Sequence, residues 1–186
     1  MSELFSIQLQ NRQQQGRDGV WLDLPTTTEQ VQAALRQIGI SSDNPQGLFI
    51  SGYFAEEEKR FAIPYNMVLA SNVDALNFLA AQLETLSAVE RAELNAALQT
   101  PQSEFSSIGR ITDFPENVDY YVHLPDVRGP AQLGDYYLNR SGMVDMPEEW
   151  KGGIDTAQFG RYVAQQEQGV FTEYGYLVKS GDAWQK

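Results

Sequence analysis

Hydrophobic and polar residues alternate in two short stretches of the first third of the chain, LFSIQL at residues 4–9 and GVWLDLP at residues 19–25. The stretch GLFISGYF at residues 47–54 is also typical of a strand. Side chains of a strand point alternately to its two faces, so this alternation indicates strands with one buried face. Each stretch is therefore predicted to be a strand of one small sheet.

A helix is predicted between the second and third strands, in TTTEQVQAALRQIG. Thr26 and Glu29 have capping-box spacing, in which each side chain bonds the free backbone N–H of the other residue. Gly39 provides a stop signal. One apolar stripe runs through Val31, Leu35 and Ile38. Residues 1–57 are therefore predicted to form a three-stranded sheet with one helix.

The middle of the chain has a helical period. Its first helix carries an apolar stripe at Val73, Leu76, Leu79, Leu83 and Leu86. A second helix is predicted from Ser87, which stands at capping-box spacing from Glu90, as far as Pro101. The polar segment AEEEKR precedes both helices, so residues 58–101 are predicted to be a central helical domain.

Residues 102–186 mix both patterns. A strand is predicted in VDYYVHLP (118–125), and a helix in GPAQLGDYYLNRSG. Another helix begins after Asp155, an N-cap residue with Gln158 three positions later. A hairpin follows, with Gly175 at its turn. The predicted fold class is α+β, as an elongated chain of three small domains that are α+β, helical and α+β.

The balance of charge limits the possible partners. The 186 residues include 25 Asp and Glu against 13 Lys and Arg, for a net charge of −12. Such a chain repels bare nucleic acid and anionic lipid and attracts basic surfaces. The sequence has no cysteine, no apparent signal peptide and no apolar run of the roughly 20 residues that a membrane span needs. We therefore predict a cytoplasmic protein.

Few residues indicate catalysis. The sole histidine, His123, lies in a predicted strand without a nucleophile motif, and is better explained as a half-buried strand residue. One histidine and no cysteine cannot make the usual zinc sites. The segment DMPEEW lacks the spacing of a calcium loop, and no glycine-rich phosphate loop occurs. No metal or cofactor is expected. An enzyme would need a ligand-sized pocket with convergent carboxylates.

The acids are spread along the whole chain. The net charge is −2 over residues 1–55, −4 over 56–110 and −6 over 111–186. Duplex DNA carries one charge per roughly 1.7 Å of its axis, so 25 carboxylates correspond to roughly 40 Å of duplex. Folded domains that hold carboxylates at such spacing would imitate DNA and bind a groove lined with Lys and Arg.

The candidate binding residues are the acids of the most acidic stretch, where Arg128, Arg140 and Lys151 are the only Lys or Arg residues. These candidates are Asp113, Glu116, Asp119, Asp126, Asp135, Asp145, Glu148, Glu149 and Asp155. A second group is Glu56, Glu57 and Glu58, for which a solvated linker is the alternative. In PEEW the acids also suit the first turn of a helix, with Trp150 as a core anchor.

Three segments resemble the ArdA antirestriction proteins carried by plasmids and conjugative transposons. They are GVWLDLP followed by a helix and IG, then DALNFLAAQLETLSAVERAEL, and finally LGDYYLNRSGMVDMPEEWKGGIDTAQFGRYVAQQEQGVFTEYGYLV. The resemblance follows nearly the whole chain in order. It implies a curved, three-domain homodimer that imitates bent B-form DNA, occupies the DNA site of type I restriction–modification enzymes, and needs neither catalysis nor a cofactor.

The chain departs from the family pattern at three positions. At the positions of Gly52, Phe54 and Tyr162, the family tends to have acidic residues. Each departure removes a phosphate surrogate. The alternative function is an acidic, non-catalytic interaction module that binds another DNA-binding or basic protein.

Overall fold

The computed structural model of the protein describes residues 3–14, 18–41, 46–101 and 104–185. The chain forms two compact units. Unit 1 is Met1–Ser87 with Glu104–Pro115, and unit 2 is Ala88–Ser103 with Glu116–Lys186. Each unit combines a three-stranded sheet with helices, so the α+β class is confirmed. The finer division into three domains, at residues 57 and 101, stays a prediction.

The sheet of unit 1 contains the three predicted strands. They are β1 (Phe5–Asn11), β2 (Val20–Leu24) and β3 (Leu48–Phe54). All pairs are antiparallel, in the order β2-β1-β3. One face is buried, with fully enclosed side chains at Ile7, Leu9 and Leu24. The other face carries polar residues such as Ser6, Gln8 and Asp23, together with the exposed aromatic residues Trp21 and Phe54.

The first helix, α1 (Thr28–Gln37), begins one residue later than predicted. Thr27, and not Thr26, is the N-cap, and its capping-box partner is Gln30 instead of Glu29. The threonine run offers several hydroxyl groups in succession, so the sequence spacing does not identify the one that caps. Gly39 ends the helix as predicted, with a φ of 70°.

Three further helices belong to unit 1, and one that lies between them in the chain belongs to unit 2. In chain order they are α2 (Tyr65–Leu69), α3 (Val73–Glu84), α4 (Ala88–Leu98, in unit 2) and α5 (Ile108–Thr112). The predicted stripe of α3 is buried, and α3 packs against α5 and β2. Asn77 fixes α3 to the loop before α1, since its side chain exchanges two hydrogen bonds with the backbone of Thr26 at 2.7 and 3.0 Å.

Unit 2 is built on β4 (Tyr121–Leu124), β5 (Val170–Thr172) and β6 (Gly175–Lys179), in the order β4-β6-β5. The predicted strand at 118–125 is shorter than expected. Val118–Tyr120 forms a 3₁₀ turn in which the Tyr120 N–H bonds the Asn117 carbonyl, so that N–H cannot join the sheet. The predicted hairpin is confirmed, with Gly175 at φ 131°.

Three helices complete unit 2. They are α6 (Pro130–Asp135), α7 (Glu148–Lys151) and α8 (Thr156–Glu167), and α6 continues directly into a π-helical turn at Tyr136–Arg140. The Ser141 N–H bonds the Tyr136 carbonyl at 2.8 Å, which closes this wider turn. A core of Val127, Leu133, Ala164 and Tyr176 joins the helices to the sheet.

Two glycines allow the backbones of α6 and α8 to touch. A Cβ on Gly134 would lie 1.9 Å from the Thr156 carbonyl oxygen, and one on Gly160 would lie 1.8 Å from the Pro130 carbonyl oxygen. No side chain fits at such distances, and the obstructing atoms are backbone atoms that cannot rotate away. The helix pair therefore requires glycine at both positions.

Substitution of Gly160 by alanine should lower the free energy of unfolding by about 2–4 kcal/mol, because the new methyl group forces α8 away from α6. Gly109→Ala is the matched control: Gly109 is also helical, but a Cβ there meets only Ser107 Oγ at 3.8 Å. Its stability should change by less than about 1 kcal/mol. Urea denaturation measures both. Equal stability of the two variants would contradict this account of the contact.

Candidate functional site

Most of the candidate acids lie on the surface. Asp113 and Asp135 are partly buried, and the other candidates of both groups are exposed. They are distributed over turns, loops and helix ends and do not lie on one element. Asp113 caps the C-terminus of α5, for example, and Glu148 and Glu149 form the first turn of α7 as predicted. Asp113 and Glu56–Glu58 belong to unit 1, and the remaining candidates belong to unit 2.

Several candidate carboxylates already have partners within the protein. Lys59 pairs with Glu56 at 3.1 Å and Lys151 with Glu148 at 2.5 Å. Asp155 is the N-cap of α8 and accepts a hydrogen bond from the Gln158 N–H at 2.9 Å, as predicted. These contacts fix the positions of the carboxylates. The two lysines also offset part of the charge that a basic partner would meet.

The pair between Asp135 and Arg140 depends on the π-helical turn. The Arg140 guanidinium lies 3.3 Å from the Asp135 carboxylate, and its carbon is 5.7 Å from the centre of the Tyr136 ring. The two residues are five positions apart. A π turn bonds residue i to i+5 and so brings such residues to the same side of the helix.

The other exposed candidates form no ion pair within the described parts of the chain. They are Glu57, Glu58, Glu116, Asp119, Asp126, Asp145 and Glu149. Their carboxylates are available to an external cation. They are fixed to ordered backbone, since Glu116 and Asp119 lie in consecutive 3₁₀ turns and Asp126 lies in the turn two residues after the end of β4.

A buried acid, Glu93, was not among the sequence candidates. Glu93 lies on α4 and is only 8% exposed, and its Oε1 has no hydrogen-bond partner among the described residues. Burial raises its pKa to about 8, with further contributions from the nearby charges of Glu90 and Asp119. The sequence does contain a sign of this burial. Ala96 and Ala97 follow three and four positions after Glu93, so the three residues lie on the same face of the helix, and that face is buried.

The role predicted for Trp150 as a core anchor is wrong. Its side chain is 66% exposed, because α7 is only four residues long and presents it to solvent. Tyrosines of unit 2 anchor its helices instead. Tyr137 and Tyr176 donate hydrogen bonds to the two carboxylate oxygens of Glu167 at 2.5 and 3.0 Å, which ties the end of α8 to the core. Burial, followed by these contacts with Glu167, raises the pKa of both phenols.

Two features bear on whether the protein could be an enzyme: a cavity in unit 1 and the histidine on β4. A cavity of about 540 Å³ between α2 and α5 is lined by Asn66, Met67, Ala70, Ser71, Asn72, Ser106, Ser107, Ile108 and Gly109, none of which carries a carboxylate. His123 is half-buried on β4 as predicted, with Nε2 2.9 Å from the Tyr174 carbonyl oxygen.

The described residues contain no group of three or more acidic or histidine side chains placed to hold a metal ion. None of their helices has both the length and the apolar character that crossing a membrane requires.

The fold and surface together define a class of protein: an acidic α+β protein whose carboxylates project from ordered turns, caps and helix ends. The family model for the antirestriction protein ArdA matches residues 15–178, most of the chain. The chain therefore belongs to the ArdA family of antirestriction proteins. A search of curated proteins found no match.

Glu93 makes stability depend on pH. Its folded-state pKa of about 8 lies above the ordinary value of 4.5, so its favourable contribution is complete below pH 4.5 and is lost as the pH rises through about 8. The free energy of unfolding should fall by about 1–3 kcal/mol over this window. Glu93→Gln should remove this loss, as measured by chemical denaturation at several pH values.

Glu149→Gln provides the control for this experiment, since Glu149 is an exposed acid of the same unit. That variant should keep the pH dependence of the unaltered protein. An unaltered protein with equal stability at both ends of the window would rule out the assigned role of Glu93, as would a Glu93→Gln variant with an unchanged slope.

Proposed function

We propose that the protein is a DNA-mimicking antirestriction protein that occupies the DNA-binding groove of type I restriction–modification enzymes in the cytoplasm. The observation that carries the proposal is the set of exposed candidate acids that have no basic partner within the described residues. Membership of the antirestriction family supports the same function. On this proposal the protein is not an enzyme, and it acts by competing with DNA.

Ordered carboxylates can replace phosphates for a physical reason. A groove that binds DNA gains affinity by pairing its Lys and Arg side chains with phosphates and by releasing condensed counterions. Fixed carboxylates offer similar pairs and also steer association at long range. Asp119 and Asp126, which flank β4, and Asp155, which caps α8, are held by secondary structure. Little ordering entropy is therefore lost when a partner binds.

The internal ion pairs and Glu93 reduce the charge that this mechanism can use. Lys59, Arg140 and Lys151 each neutralise a candidate acid, and the raised pKa of Glu93 favours its neutral form at pH 7. We therefore expect binding to be distributed over many weak contacts. The homodimeric, three-domain arrangement implied by the family resemblance is part of the proposal. Light scattering, for mass, and small-angle X-ray scattering, for shape, would test it.

Grouped neutralisation of the candidate acids should weaken inhibition stepwise. Single exposed pairs contribute about 0–1 kcal/mol, so one Asp→Asn change should cost at most about fivefold. The triple variant Asp145→Asn, Glu148→Gln, Glu149→Gln should cost about tenfold or more. The measurement is inhibition of DNA cleavage and DNA methylation by a purified type I enzyme, with competing duplex DNA and at several salt concentrations.

The matched control is Asp18→Asn, Asp74→Asn, Asp182→Asn, which changes the net charge equally at exposed acids outside the candidate set. It should retain most of the inhibition. Loss of all binding after one neutral substitution would indicate a single specific site and contradict the proposal. Pull-down from a lysate at graded salt addresses the alternative partner: consistent absence of restriction subunits would favour another basic protein.

A further inference from the structure

No helix of the described residues covers one face of the unit 1 sheet, and the strand register identifies the residues on that face. Trp21 on β2 pairs with Gln8 on β1, which in turn pairs with Gly52 on β3. In the next row on this face, Asp23 pairs with Ser6, which pairs with Phe54. We call the face defined by these two rows, Trp21–Gln8–Gly52 and Asp23–Ser6–Phe54, the open face. Ile7 and Leu22, between the rows, point to the buried side.

Two exposed aromatic residues, Trp21 and Phe54, share the open face. Trp21 is 49% exposed, and its ring crosses the sheet as far as β3, since a Cβ on Gly52 would lie 3.0 Å from Trp21 Cη2. Phe54 is the next residue of β3 on this face and is 56% exposed. The absence of a side chain at Gly52 gives the indole its place. Solvent can reach both rings, and we call the exposed rings of Trp21 and Phe54 the platform.

Carboxylates border this platform. Asp23 accepts a hydrogen bond from Ser6 Oγ at 2.6 Å, so it is held in the same row as Phe54. A cavity of about 120 Å³ opens beside Phe54 and Ser6, and its lining includes Glu3 and Glu56. Lys59 also lines it and pairs with Glu56. Glu3 has no ion pair among the described residues.

Aromatic faces next to carboxylates are better suited to arginine than to lysine. The guanidinium is planar, stacks on rings, is weakly hydrated and bonds a carboxylate with a rigid fork of N–H donors. The lysine ammonium is a compact, strongly hydrated point charge that pairs well with carboxylates alone. A surface that imitated only phosphates would use carboxylates without rings.

We propose that the open face is a docking site for an arginine side chain of a basic partner protein, in which the guanidinium stacks on Trp21 and Phe54 and pairs with Asp23 or Glu3. The proposal extends the proposed function, because it assigns unit 1 a contact that is selective for arginine. It depends on the partner being a basic protein. It does not require that partner to be a restriction enzyme.

Two peptides of equal charge, hexa-arginine and hexa-lysine, test the proposal with the full-length protein. The readout is the indole N–H signals in ¹H–¹⁵N spectra, which report Trp21, Trp150 and Trp184 separately once Trp→Phe variants assign them. The arginine peptide should shift the Trp21 signal and bind about three- to tenfold tighter than the lysine peptide. Identical affinities for the two peptides, or an unmoved Trp21 signal at saturation, would overturn the proposal.

Substitutions separate stacking from charge. Trp21→Thr with Phe54→Thr keeps the net charge and should reduce arginine binding to the level of lysine binding, whereas Trp21→Phe should keep a preference for arginine. Phe78→Ala removes a ring that is 59% exposed on α3 and should leave the preference intact. Dispersed amide signals confirm that each variant is folded. A preference for arginine that survives the double threonine variant would refute the site.

The two proposals can fail independently. If neutralisation of the candidate acids leaves inhibition of a type I enzyme unchanged, the proposed function fails, while selective binding of the arginine peptide can still be observed. If the peptides bind equally while inhibition follows the candidate acids, only the docking site on unit 1 is lost.

Discussion

Direct contact between the backbones of α6 and α8 is the constraint on which unit 2 depends. There is no room for a Cβ at Gly134 or Gly160, because a backbone carbonyl oxygen of the other helix lies against each glycine. The two helices are therefore in contact through their backbones, and not through interlocking side chains. Two candidate acids, Asp135 and Asp155, lie at the ends of these helices. Their positions on the surface therefore follow from a packing requirement in the interior, which connects the fold to the charge that a partner would meet.

A protein with this excess of negative charge must fold against its own repulsion. The structure limits the repulsion in three ways: a few carboxylates are paired with Lys or Arg, Asp155 serves as a helix cap, and Glu93 is buried where its neutral form is favoured. The remaining candidate acids, apart from the partly buried Asp113, are exposed, where water screens them. In unit 2, the packing of buried apolar residues and the hydrogen bonds from tyrosines to Glu167 hold the helices and the sheet together.

The sequence was sufficient for the parts of the fold that local chemistry determines. The alternation in β1 and β2, the stripe of α3, the Asp155 cap and the turn at Gly175 each depend on residues close together in the chain, and each is confirmed. The capping residue of α1 was predicted one position early because three threonines stand in a row. Trp150 was misplaced because its burial depends on whether other elements cover α7, which no local pattern records.

The candidate acids could be identified from the sequence as a group, but their individual states could not. Exposure of Glu149, pairing of Glu148 and burial of Glu93 look alike in a sequence, since each is a Glu on a short helical segment. What distinguishes them is the elements packed around each one. The open face of unit 1 could not be predicted either, because only the strand register shows that Trp21, Gly52 and Phe54 share one face of the sheet.

The π-helical turn at Tyr136–Arg140 means that surface charge here is partly a property of helix winding. Asp135 meets Arg140 only because the backbone widens to bond Tyr136 with Ser141. Substitutions in a related chain that returned this turn to ordinary α-helical winding, with no residue removed, would place the arginine about 140° around the helix from the aspartate. The aspartate would then face solvent as a full negative charge. A change at neither charged residue could thus add an anionic group to the surface.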